Sequence, residues 1–199
     1  MNEDVENLLS ELKEIHQDLA LITTDAIAVA DWVRFKCRYG CRAYGKHLCC
    51  PPFAPTPDEM RRMISEYCYA ALVRFKAEPQ LELLPQHIHH ALWDSITRLH
   101  KTIYDLERRA FLGGCYKAFG LGALPCTLCK SCVIEEKLER NENVSLLDVL
   151  SCRHKDIMRP SMEACGIDVF KTLNNAGYSP MVLKDYSEGV ELFGLVLLD

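Results

Sequence analysis

Cys126-Thr127-Leu128-Cys129-Lys130-Ser131-Cys132 places three thiols within seven residues. Nothing else in the chain limits its folding as tightly. A tight C-x2-C-x2-C loop carries three thiolates to three corners of one iron–sulfur cubane, and the fourth corner is usually filled by a cysteine from elsewhere in the chain. Cys152 and Cys165 are the candidates for that corner. Zinc is the competing metal. It favours two ligand pairs, one of them a short C-x2–4-C, and three cysteines in one run suit that plan less well.

A second constellation runs from Cys37 to Pro52: Cys37, Cys41, Cys49 and Cys50, with Gly40 and Gly45 between them and Pro51-Pro52 at the exit. The glycines allow sharp bends and the prolines stiffen the way out. The loop can fold three thiolates around one centre, using Cys37, Cys41 and one of the adjacent pair. Adjacent side chains diverge in extended chain. Cys50, just before proline, is biased to extended backbone. We therefore expect Cys50 at the centre and Cys49 turned away.

From Trp32 to Pro57 there are five Lys or Arg residues and no acid. Positive charge favours thiolates, offsets a negatively charged cluster and attracts an anionic ligand. Arg42 and Lys46 are the candidate cofactor-binding residues of this set. The plainer reading is a solvated basic loop.

The periodicity predicts α+β, with a mixed or antiparallel sheet, packed helices and Cys-rich metal-binding loops. A helix is expected over 4–20, with Val5, Leu8, Leu12, Ile15 and Leu19 on one face. A strand is expected over 27–36, where Val33 and Phe35 alternate with Arg34 and Lys36. Thr56, Pro57 and Glu59 mark a capped helix start, and 69–76 reads as a strand. The strongest stripe, Ile88 to Ala110 in steps of four and three, predicts a helix over 85–112 stopped by Gly113-Gly114. Ser145 with Asp148 opens a short helix, and another follows Asp168 and ends at Gly177. Residues 181–186 and 190–198 read as a hairpin around Ser187-Glu188-Gly189.

The 199 residues suit a single metal-binding domain over 1–199. Acids outnumber bases, 28 to 23, which argues against a nucleic-acid partner. No apolar run approaches the roughly 20 residues of a membrane span, so no membrane partner is expected. The N-terminus is acidic and lacks the basic, then apolar, pattern of an export signal. A cytoplasmic location is the expectation. In a reducing compartment eleven cysteines, an odd number, point to metal or redox chemistry and away from disulfides.

Together the motifs resemble an uncharacterised prokaryotic family of cysteine-rich predicted metal-binding proteins. The resemblance rests on Cys37, Cys41, Tyr44-Gly45-Lys46 and Cys50-Pro51-Pro52, then Pro125-Cys126, Cys129, Cys132 and Cys152-Arg153, and on the run Arg159 to Val169. It spans about residues 30–180. It implies metal ligation by Cys37, Cys41, Cys50, Cys126, Cys129, Cys132 and Cys152, and so prefers Cys50 to Cys49 and Cys152 to Cys165. His154-Lys155 stands where the family pattern has a proline close after the arginine.

Other residues carry less. His87, His89, His90 and His100 read as exposed polar residues, Cys68 as core packing, and Cys115 as able to reach either site. Arg159 to Glu163 is either a helix start aimed at the cluster or a turn that anchors its loop. The leading function is an iron–sulfur protein with one 4Fe–4S cluster and a second centre in the Cys37–Cys50 loop, acting in redox or electron transfer with a redox partner protein. With three cysteines at the second centre, one iron would be open to a small anionic substrate, which would make the protein an enzyme. The alternative is a non-catalytic interaction module stapled by zinc.

Overall fold

The computed structural model describes residues 3–79, 88–183 and 189–199, without the side chains of residues 3–5, 88 and 89. Its centre is an antiparallel sheet of four strands in the order β1-β2-β4-β3: β1 (Leu19–Thr23), β2 (Tyr69–Ala77), β3 (Phe119–Leu121) and β4 (Val190–Leu198). β2 and β4 pair over their full length, with Tyr69 opposite Leu198 and Val73 opposite Gly194. β4 is interior to the sheet and apolar on both faces. That is why its sequence runs as a nearly continuous hydrophobic stretch. The fold class is α+β, as the periodicity predicts.

The strands sort their side chains by the two-residue period. Ala71, Val73, Phe75 and Ala77 of β2 face one layer, and Ala70 and Leu72 the other. The first layer holds α1 (Glu3–Ile15) and α5 (Trp93–Leu112), with the single turn α4 (Ile88–Ala91) leading in. Ile96, Leu99, Ile103 and Leu106 of α5 are fully buried against the sheet with Leu12 of α1. Each such side chain contributes about 1.5–3 kcal/mol of burial. The stripe therefore serves core packing. The second layer gathers α3 (Pro57–Ile64), the turn Glu163–Cys165 and α7 (Val169–Asn175) around Met60, Ile64, Met162 and Ile167.

Several predicted ends hold. Thr56 and Glu59 form a reciprocal capping box before α3. The Asp168 carboxylate accepts the Lys171 N–H at the start of α7. The Ser145 N–H donates to Asp148 Oδ2 at 2.9 Å, opening the 3₁₀ turns Leu146–Ser151.

Others are corrected. Residues 31–40 are helix α2 (Asp31–Gly40) and no strand forms over 27–36, where only Val29 makes an isolated bridge, to Ile167. Four alternating residues are also what one buried position per helical turn displays. Here Val33 is buried while Trp32 and Phe35 are exposed. Leu19 belongs to β1 and ends the N-terminal helix early. Residues 181–183 take no strand pairing, and the rest of the predicted first strand, 184–186, lies outside the described residues with 187–188 of the turn. β4 pairs with β2 and β3. Residues 85–87 also lie outside the described residues. Cys68 is exposed, not core.

His100 is the sharpest departure. It is fully buried, and neither ring nitrogen has a hydrogen-bond partner. Burial pushes its pKa down to about 4, an effect the Ala123 backbone only partly offsets. The ring lies against Gly122, where a Cβ would come within 2.6 Å of the ring Cε1. A neutral histidine held below its unfolded pKa favours folding fully above about 6.5, and the contribution is lost as pH falls toward 4. His100→Leu should therefore flatten the acid side of the stability curve between these limits with little loss at pH 8. Gly122→Ala should destabilise at every pH. Urea unfolding of the metal-free protein across pH measures both. An unchanged acid limb in His100→Leu would refute the assignment.

Candidate metal centres

Cys37 lies on the last turns of α2, and Cys41 caps that helix, its N–H bonded to the Cys37 carbonyl at 3.2 Å. A spacing of four puts both thiols on one helical face. The chain then folds back through successive turns. The Gly45 N–H reaches the Pro51 carbonyl at 2.9 Å, and the Cys50 N–H reaches the His47 carbonyl at 3.0 Å. Gly45 has φ +72°, a left-handed conformation that favours glycine. The result places Cys37, Cys41 and Cys50 around one cavity of about 90 Å³, together with Tyr44, Leu124, Ser161 and Glu163. Cys49 is not in its wall.

The mid-chain loop is fastened from below. Thr127 bonds the Thr97 hydroxyl at 2.7 Å and the Trp93 carbonyl at 3.2 Å, both on α5. Cys132 then caps α6 (Val133–Glu139), and Cys152 ends the 3₁₀ turns that follow. Arg153 spans the two segments, donating to the Ser131 carbonyl and to Glu136. Cys126, Cys129, Cys132 and Cys152 line one small cavity with His47, His154 and Cys49. Its volume is about 20 Å³, room for one water-sized body.

Cys49 is the thiol that sequence reasoning did not place here. The turn through these residues puts Cys50 in the wall of one cavity and Cys49 in the wall of the other. Its sulfur stands 3.7 Å from that of Cys50 and accepts the Cys126 N–H at 3.0 Å. The two cavities are therefore back to back across the Cys49-Cys50 peptide. Cys165 is sealed in the second core layer and Cys115 lies beside the first. Neither lines either of these two cavities.

Burial is the largest effect on four of the thiols. It pushes Cys126, Cys132 and Cys152 up, and Cys37 up to about 11. For Cys49 the bond with Cys50 raises it first and burial second. Backbone N–H groups work the other way: Leu128 toward Cys126, Ile134 and Leu48 toward Cys132, and His154 toward Cys152. The cation acting on Cys37 is Arg34, which also ties α2 to the Pro55 and Ala164 carbonyls. Neither Arg42 nor Lys46 is a cause of these shifts. Arg42 borders the groove outside Cys37 and Cys41, and Lys46 lines neither cavity.

The run after Cys152 is an anchor. Arg159 clamps Glu107 of α5 with two bonds of 2.6 Å, and the same carboxylate accepts the Gly120 N–H at 2.8 Å. Among the described residues, no three His, Cys, Asp or Glu side chains close on a single point at the spacing of one ion. The thiols stand around their cavities.

The fold is α+β, and its two Cys-rich loops set their thiols around two cavities. Residues 20–198 match the family of predicted metal-binding proteins known as DUF2284, and the chain belongs to that family. It matches no curated protein and no solved structure. Among the described residues, no helix is long and apolar enough to cross a membrane.

Both side chains of the Arg159–Glu107 pair are largely buried, at 17% and 14% exposure. Removing one partner leaves the other charge uncompensated, at a cost of about 3–5 kcal/mol. Arg159→Met should fall at the lower end of that range in metal-free protein. Adding Glu107→Gln should restore part of it. Equal urea midpoints for wild type and Arg159→Met would show that the clamp contributes nothing.

Proposed function

We propose that this protein is an iron–sulfur protein of redox or electron-transfer function, with two neighbouring centres. Cys126, Cys129, Cys132 and Cys152 hold the first, beside Cys49. Cys37, Cys41 and Cys50 hold the second. The observation that carries the reading is the back-to-back placement of the two thiol sets, joined by the adjacent residues Cys49 and Cys50 with sulfurs 3.7 Å apart.

The donor set suits such a centre. Five thiols border the mid-chain cavity, enough to supply the four that a 4Fe–4S cluster takes. Backbone N–H groups aimed at sulfur stabilise thiolates and tune cluster potential. When bound, a 4Fe–4S cluster supplies one-electron transfer. The residues do the rest. The N–H donors of Leu48, Leu128, Ile134 and His154 offset the burial that holds the thiols protonated. Loading releases those protons, which couples metal uptake to pH and to folding.

One observation favours zinc as a second reading. The mid-chain cavity is small, about 20 Å³, and a cubane needs more room than a single ion. A single ion is accommodated more easily in that space.

Anaerobically purified protein should contain iron and acid-labile sulfide, about four irons for one cubane and about eight for two. Cys129→Ala should lose the mid-chain centre. Cys68→Ala, altering an exposed thiol outside both cavities, should keep wild-type metal. Stoichiometric zinc without sulfide, after growth with ample iron, would overturn the iron–sulfur reading. Equal iron loss in both variants would show general instability in place of ligation.

A further inference from the structure

The Cys37–Cys41–Cys50 cavity contains a fourth group with ligand chemistry. Glu163 lines it, on the turn Glu163–Cys165 that packs against α2. As a residue Glu163 is half-buried, because part of it borders the groove outside. Its Oε2, however, is sealed from solvent and has no hydrogen-bond partner. A carboxylate oxygen in that position is costly unless a cation or donor meets it.

The surroundings hold the carboxylate in place. Burial is the largest effect on the Glu163 carboxyl and pushes its pKa up, while the Ser161 hydroxyl and the backbone N–H groups of Leu124 and of Glu163 itself act against it. Leu124 has φ +60°, a left-handed conformation uncommon outside glycine, and it lines the same cavity. Strained backbone of this kind clusters at binding sites. The Cys37 thiol lies 3.9 Å from the Glu163 carbonyl, which fixes the turn against the thiol set.

We propose that Glu163 is the fourth protein ligand of the centre held by Cys37, Cys41 and Cys50, through Oε2. The inference rests on the metal-binding reading of those three cysteines. A carboxylate oxygen is a harder donor than thiolate and suits iron in such a cluster less well. Glu163 is thus the most exchangeable of the four ligands. Like Cys37 and Cys41, it borders both the cavity and a broad groove lined by Trp32, Phe35, Tyr39 and Arg42. An incoming anionic or sulfur ligand from that groove would replace the carboxylate at the metal.

The test uses full-length protein reconstituted anaerobically with iron and sulfide. Iron per chain is quantified, and Mössbauer and electron paramagnetic resonance spectra are recorded before and after mild oxidation with ferricyanide. Wild type should lose about one iron per chain on oxidation and leave a three-iron signal. Glu163→Cys, with a thiolate in the fourth place, should keep that iron. Glu163→Ala should lack it from the start. Glu163→Gln preserves shape, carries the test should Glu163→Ala fail to fold, and should behave like Glu163→Ala. Wild-type iron content and spectra in both Glu163→Ala and Glu163→Gln would overturn the role of Glu163. Cys37→Ala separates the two levels. If it leaves the metal content unchanged, the three-cysteine centre itself is refuted. If it removes that centre while the Glu163 variants change nothing, only the fourth-ligand assignment fails.

Discussion

Glu107 is where the scaffold grips both chain segments that carry the mid-chain cysteines. Its carboxylate takes two bonds from Arg159 and one from the Gly120 N–H. Gly120 begins the path β3–Gly122–Leu124 that delivers Cys126, and Arg159 follows Cys152 by seven residues. One side chain on α5 therefore sets the distance between the two strands of chain. The Gly122 backbone strengthens the same junction, with its N–H bonded to Pro160 and its carbonyl accepting from Met162, both at 2.9 Å. α5 can hold this position because Ile96, Leu99, Ile103 and Leu106 bury it against the sheet. Hydrophobic packing fixes the helix, and one charged group on it fixes the loops.

The basic loop does different work from what its charge suggests. Five cations and no acid between Trp32 and Pro57 are expected to favour thiolates. In the fold, burial is the larger effect on Cys37, and Arg34 is the cation that opposes it. Lys36 lies over the Trp32 ring at 5.0 Å, and Arg38 over Tyr39 at 5.6 Å. These cations sit on an exposed aromatic face of α2, with Trp32, Phe35 and Tyr39 all exposed. Their charge is directed outward.

Legibility in the sequence followed the range of the interactions. Local signals read well: the Thr56–Glu59 box, the Asp168 cap and the long α5 stripe all depend on neighbours within four residues. The grouping of Cys37 and Cys41, and of Cys126, Cys129 and Cys132, follows from spacing, whereas Cys152 in place of Cys165 comes with the family resemblance; these residues and Cys50 line the two cavities. What depended on distant partners did not read. β1 and the three-residue β3 exist because β2 and β4 offer edges to pair with. His100 is buried because Gly122 leaves room for its ring. Gly45 is legible as a bend, but not that the reversals at Gly45 and Gly166 carry Cys49 and Glu163 to the cavities. Gly166, at φ +84°, turns the chain where a Cβ would lie 2.8 Å from Pro57.

The two thiol sets differ in what surrounds them. The groove beside α2 borders Cys37, Cys41 and Glu163 but none of Cys126, Cys129, Cys132 and Cys152. The mid-chain set is enclosed by its own N–H donors and tied to α5 through Thr127, an arrangement that holds a centre in one geometry. The other set has three thiols, a carboxylate with an unpartnered oxygen, and a way in from outside. On the iron–sulfur reading, the mid-chain centre passes electrons and the N-terminal one meets the molecule that gives or takes them. The Cys49-Cys50 peptide then has a reason to carry two cysteines in a row, since a single residue could face only one of the two centres.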